Sequence, residues 1–262
     1  MIPVLLLLIP IVSGLLLFTL KNERTARNFA LLAALATLVV SLLGLSCMNK
    51  PAYLNFDAEW MPALGSRFHV QLDGMGQLLC LLTALAYPLI FLSIRNNRYD
   101  NAPRFFALML LSQAGMIGVF LAMDALLFYF FWELALIPVY FLCSAWGGEK
   151  RIATTFKFFV YTFTGSLLML IGIIYLYFLA HQSFALEDFY AIKFMPGQDT
   201  KIFWLLFFAF AIKMPLFPFH TWQPDTYEVS DTGITMALSA VMVKMGIFGL
   251  LRWVAPVVPL SS

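Results

Sequence analysis

The chain has 262 residues, 62% of them hydrophobic and 11% charged, where globular proteins hold about 45–50% and about 25%. So much apolar surface has no place inside a soluble fold of this length, so the solvent is lipid. The formal net charge of +2 is small and says little by itself; a nucleic-acid role lacks an exposed basic surface, and Cys47, Cys80 and Cys143 lie in apolar runs without metal or redox spacing.

A helix needs about 20 apolar residues to cross the hydrocarbon core. Eight stretches qualify: 2–20, 28–47, 74–94, 104–123, 125–145, 154–180, 202–220 and 235–255. The predicted fold is an all-α integral membrane protein of about eight transmembrane helices. The first stretch has no basic start and no small-residue cleavage site before Lys21, so it reads as a retained span, not a secretory signal. In the loop 48–73, Tyr53, Asn55, Asp57 and Glu59 alternate with Leu54, Phe56 and Ala58. That period of two predicts a surface strand or hairpin. Asp124 interrupts the fourth and fifth stretches and predicts a helix N-cap in a tight hairpin. Within 181–201 a short surface helix is expected around 186–194.

Basic residues set the orientation. Lys21, Arg24, Arg27, Arg95, Arg98, Arg104, Lys150, Arg151 and Lys157 follow the odd-numbered spans, whereas the other side carries Lys50, Arg67, Lys193 and Lys201. The nine-to-four excess places the first group in the cytoplasm and the N-terminus outside.

Arg252 lies near the end of the eighth span, and three charges remain deep inside spans: Glu133 in the fifth, Lys213 in the seventh and Lys244 in the eighth. Each costs roughly 2.5–3.5 kcal/mol at mid-helix. With a rise of 1.5 Å per residue they lie about 12, 16 and 14 Å into their spans, near the middle of a core about 30 Å thick. One acid and two bases at one depth suggest a polar line in the membrane plane. Pro215 and Pro218 follow Lys213 and break the seventh helix, freeing the carbonyls of Ala211 and Met214. Pro138 similarly frees the carbonyl of Leu134 beside Glu133. Broken helices at membrane depth occur where ions are handled. The bland alternative is a structural counter-ion beside a packing kink. His220 is a weaker candidate, either a relay or an interfacial histidine satisfied by backbone.

These groups suit proton or ion transfer. Burial disfavours a charged ammonium and a nearby carboxylate favours it, so movement of Glu133 relative to Lys213 gives a protonation switch, with water as the link to Lys244. No histidine pair at haem spacing, cysteine cluster or glycine-rich nucleotide loop occurs, so no cofactor is expected on this chain.

Several stretches carry a family resemblance: VQLDG at 70–74, FWELALIPVYFL at 131–142, WGGEKRI at 146–152, KFFVYT at 157–162, KMPLFPFHTWQPD at 213–225 and VKMGIFGLLR at 243–252. Together they resemble the subunit M family of proton-translocating NADH:quinone oxidoreductase, respiratory complex I. The resemblance spans nearly the whole chain. It implies that Glu133, Lys213 and Lys244 match the glutamate and lysines of the antiporter-like subunits. It further implies an N-terminal part at 1–103 and a half-channel at 104–262, one half of an inverted repeat whose second half is absent. Partner membrane-arm subunits are expected, with NADH, FMN, iron–sulfur clusters and quinone in other subunits. So is a multi-pass location in a bacterial plasma membrane, preferred over the mitochondrial inner membrane. Family members have about fourteen spans, so the chain is expected to be a fragment or partial reading frame. One departure is EVSDTG at 228–233, which lacks the proline of the family's turn before helix eight. The rival readings are a subunit of a multisubunit sodium/proton antiporter or membrane-bound hydrogenase, and a non-conducting structural remnant.

Overall fold

The computed structural model describes residues 1–258; the end of the second predicted segment, 259–262, lies outside them. Each of the eight apolar stretches forms a helix: α1 Ile2–Leu17, α2 Glu23–Ser46, α3 Gly74–Ser93, α4 Ala102–Leu121, α5 Ala125–Ala145, α6 Arg151–Leu179, α7 Gln198–Lys213 and α8 Thr232–Val254. Among the described residues, six of these are long and apolar enough to cross a membrane, namely α2 to α6 and α8. The expected eight therefore resolve into six full-length spans and two helices, α1 and α7, of 16 residues each. At 1.5 Å per residue those two reach about 24 Å.

The causes of the two short helices differ. α1 begins on Pro3 in its first turn and ends at Leu17, before the polar Lys21 and Asn22 that open α2. α7 stops at Lys213 because Pro215 cannot continue the ladder. It also starts earlier than hydropathy predicts, since Gln198, Asp199, Thr200 and Lys201 add a polar first turn. Pro88 and Pro138, by contrast, sit inside unbroken helices, which neighbouring helices make tolerable at membrane depth.

The loop between α2 and α3 forms the expected hairpin. Strands β1 Asn55–Met61 and β2 Ser66–Gln71 run antiparallel, with Asn55 opposite Gln71 and Asp57 opposite His69. The short helix expected at 186–194 is present as Leu186–Tyr190.

α4 is the central post, buried along most of its length and packed on α1, α2, α3 and α5. Gly118 makes the closest approach possible, because a Cβ there would sit 2.2 Å from the Phe131 ring of α5. The turn from α4 to α5 is locked by Asp124. Its carboxylate accepts from the backbone N–H groups of Leu126 and Leu127 at 3.0 Å, as an N-cap, and from the Ser66 hydroxyl at 2.9 Å and the Arg67 N–H at 3.0 Å. One side chain thus joins the hairpin to the α4–α5 turn. Asp124→Ala removes the cap and strands buried donors, and is expected to cost about 2 kcal/mol. Thermal unfolding in detergent measures the loss, and an unchanged midpoint contradicts the role.

Candidate functional site

Lys213 is the last residue of α7 and is 1% exposed. Its Nζ has no hydrogen-bond partner and lies 5.4 Å from the centroid of the Trp132 ring. Trp132 is the α5 residue next to Glu133, and it also packs edge-on against Phe210 of α7. The cation therefore sits against an aromatic face, an arrangement that stabilises an ammonium partly removed from water.

The break beyond Lys213 is closed chemically. Leu216 N–H donates to the Ala211 carbonyl at 3.0 Å, and the Trp222 indole N–H donates to the Ile212 carbonyl at 3.0 Å. The carbonyl that Pro215 frees thus finds a partner one residue further along. Downstream, Lys157 of α6 donates to the Thr221 carbonyl at 3.0 Å and pairs with Asp225 at 2.7 Å, while Tyr161 meets Thr221 at 3.0 Å. Lys157, by its place near the start of the sixth stretch a loop charge, is helical and fastens the segment after the break to α6. His220 lies in that segment with Nδ1 buried and unpartnered.

Glu133 faces a half-buried position on α5, and its Oε1 is buried without a partner. Among the described residues no ion pair joins it to Lys213. What Lys213 meets on α5 is Trp132, the residue before Glu133. Lys244 lies on α8 in an α-helical stretch, Val243–Gly249, between two π-helical stretches, Leu238–Met242 and Leu250–Val254. A π-turn skips a normal i→i+4 bond, and the Lys244 ammonium donates to the Ser239 carbonyl in the first of them. α8 approaches α7 through Gly249, where a Cβ would meet the Phe210 ring at 2.3 Å. The structure thus sets Lys213 over the Trp132 ring, with Glu133 the next residue along α5, and holds Lys244 on the helix next to α7.

Two buried polar features escaped the sequence reading. Arg252, by position an end-of-span charge, is 6% exposed and donates to Asp73, the N-cap of α3, at 2.5 Å, with Met123 Sδ at 3.3 Å. Gln113 of α4 is fully buried with both amide atoms unpartnered. The VQLDG segment holds Asp73, but nothing local signals its partner; Gln113 is signalled only by being polar within an apolar run.

A family model described as NADH:quinone oxidoreductase/Mrp antiporter, TM matches residues 122–262. The chain is 36% identical to F(420)H(2) dehydrogenase subunit M of Methanosarcina mazei, covering 99% of this chain and 54% of that protein. It is 34% identical to NADH-quinone oxidoreductase subunit M of Rhodobacter capsulatus, covering 92% and 49%. The solved structure of respiratory complex I from Thermus thermophilus with bound NADH contains a chain that superposes with a TM-score of 0.88 at 32% identity, covering 99% of this chain and 54% of that one. The chain spans about half the length of the curated relatives it matches.

Proposed function

Because the chain belongs to the NADH:quinone oxidoreductase/Mrp antiporter membrane family, we propose that it is an antiporter-like, proton-translocating membrane-arm subunit of an NADH:quinone oxidoreductase. Protons pass along Glu133, Lys213 and Lys244 near mid-membrane, with His220 as a relay, while NADH oxidation and quinone reduction in other subunits supply the drive. Residues 104–262 form the half-channel and 1–103 its N-terminal support. FMN and iron–sulfur clusters belong to partner subunits. The assembly sits in a bacterial plasma membrane with the N-terminus outside.

The observation that carries this reading is Lys213: a fully buried ammonium without a hydrogen-bond partner, at a helix break, beside the residue that adjoins Glu133. A charge so placed is costly, and an intramembrane ionisable residue is a functional position by default. Glu133 and Lys213 stand apart around Trp132, one setting of a two-position switch. Approach of the carboxylate stabilises the ammonium, and retreat releases its proton toward Lys244.

Isolation from native membranes by a tag on this chain, followed by NADH-driven quinone reduction, tests the assignment. Robust activity in the isolated complex is expected; an intact, recovered chain without that activity contradicts it. A second reading follows from the likeness to the Methanosarcina subunit: the electron donor is a reduced deazaflavin. Oxidation of reduced F420 in place of NADH by the same preparation selects it.

A further inference from the structure

Gln113 belongs to no part of that path as drawn. It lies at 0% exposure on the most enclosed helix, and neither its amide nitrogen nor its amide oxygen has a partner. A buried amide left unpartnered is costly, and an apolar replacement would avoid that cost. The residue therefore calls for a partner that arrives from elsewhere.

Its direction follows from helix geometry. Phe120 lies seven residues further along α4, which is two turns and a rotation of only about 20°, so both side chains leave the same face. Phe120 packs edge-on against Phe248 of α8, with ring centroids 5.2 Å apart. α4 and α8 run parallel. At one end Tyr99, just before α4, donates to Asp231, just before α8, at 2.9 Å. At the other end Met123, just after α4, meets Arg252 of α8 at 3.3 Å.

Lys244 lies four residues before Phe248, one turn back and about 40° round the helix, and is half-buried where Phe248 is buried. Its side chain runs further back, to the Ser239 carbonyl. Two turns below the Phe120–Phe248 contact, the α4 side therefore presents an orphan amide, and the α8 side presents the lysine head at nearly the same level. The π-helical stretch Leu238–Met242 occupies that level on α8.

From this arrangement we propose that Gln113 is a positioning residue for Lys244: its amide oxygen receives the ammonium, directly or through one water, when the ammonium leaves the Ser239 carbonyl. Lys244 then has two resting places, one on its own helix and one on α4. Exchange between them moves the charge across the α4–α8 interface. The inference rests on the proposed proton path, in which Lys244 takes part.

The test uses the whole complex in sealed membranes, with protons translocated per quinone reduced as the readout. Gln113→Met has similar length without the acceptor, and Gln113→Glu keeps an oxygen at the same place. Expected is about a fivefold fall in the ratio for Gln113→Met, the worth of one hydrogen bond, with quinone reduction unchanged and the ratio restored in Gln113→Glu. A purely structural glutamine predicts the reverse, since methionine packs well in an apolar interior. A parental ratio in Gln113→Met overturns the proposal, provided that Lys244→Ala lowers the ratio; a parental ratio in Lys244→Ala instead overturns the proton path on which it rests. Where Gln113→Met does not assemble, Gln113→Cys in a chain whose Cys47, Cys80 and Cys143 are replaced by alanine is treated with a small methanethiosulfonate cation, and labelling is read on this chain alone. Labelling supports a polar, cation-accepting position, and complete protection overturns it.

Discussion

Lys213→Arg is expected to abolish proton translocation while leaving the complex assembled and quinone reduction measurable. An arginine preserves the positive charge and stacks on an aromatic face at least as well as lysine, but it does not release its proton. The contact with Trp132 at 5.4 Å therefore survives the substitution, and the buried charge is retained. A counter-ion role is satisfied by this variant; a proton-carrying role is not. Lys213→Ala removes charge and carrier together and is expected to lower translocation by at least about tenfold, equivalent to about 1.4 kcal/mol on the barrier. The pair is read as protons moved per quinone reduced. Normal pumping in Lys213→Arg means that the lysine is a structural cation, whatever Lys213→Ala does.

Glu133→Gln is the second large effect. Glutamine fills the same space and keeps a hydrogen-bonding head, so the packing of α5 against α4 at Gly118 and Phe131 is undisturbed. What disappears is the charge that favours the Lys213 ammonium on approach. Translocation is expected to fall about tenfold, with the amount of assembled complex unchanged. Glu133→Asp retains the charge on a shorter stem and is expected to keep part of the activity. Equal pumping by Glu133→Gln and the parent removes the carboxylate from the path.

Much of this architecture is written in local chemistry. Hydropathy places a helix on each of the eight apolar stretches among the described residues, six of them long enough to span, because an apolar stretch must satisfy its own backbone in lipid. The hairpin at 55–71 is visible because alternation survives at a membrane surface, and the Asp124 cap is visible because capping is set within three residues. Glu133, Lys213 and Lys244 stand out by cost alone. What local patterns do not carry is pairing across the chain. Arg252 and Asp73 are separated by 179 positions, and each taken singly reads as a solvated end of a span. Lys157 looks like a loop charge because its partner, Asp225, lies 68 positions away. The π-helical stretches of α8 contain neither proline nor an unusual run, so the register shift that offers the Ser239 carbonyl to Lys244 is a tertiary effect. The start of α7 is hidden for a simpler reason: its first turn is polar and hydropathy begins counting after it.

The central claim is that Glu133 and Lys213 serve one proton path, and a double-mutant cycle on translocation measures it most directly. Glu133→Gln, Lys213→Ala and the double variant are compared with the parent, all as protons moved per quinone reduced. Members of one path are strongly non-additive, so the double variant is expected to pump no worse than the more damaged single one. Losses that multiply, so that the double variant falls by the product of the two single effects, would show two independent contributions and contradict the account.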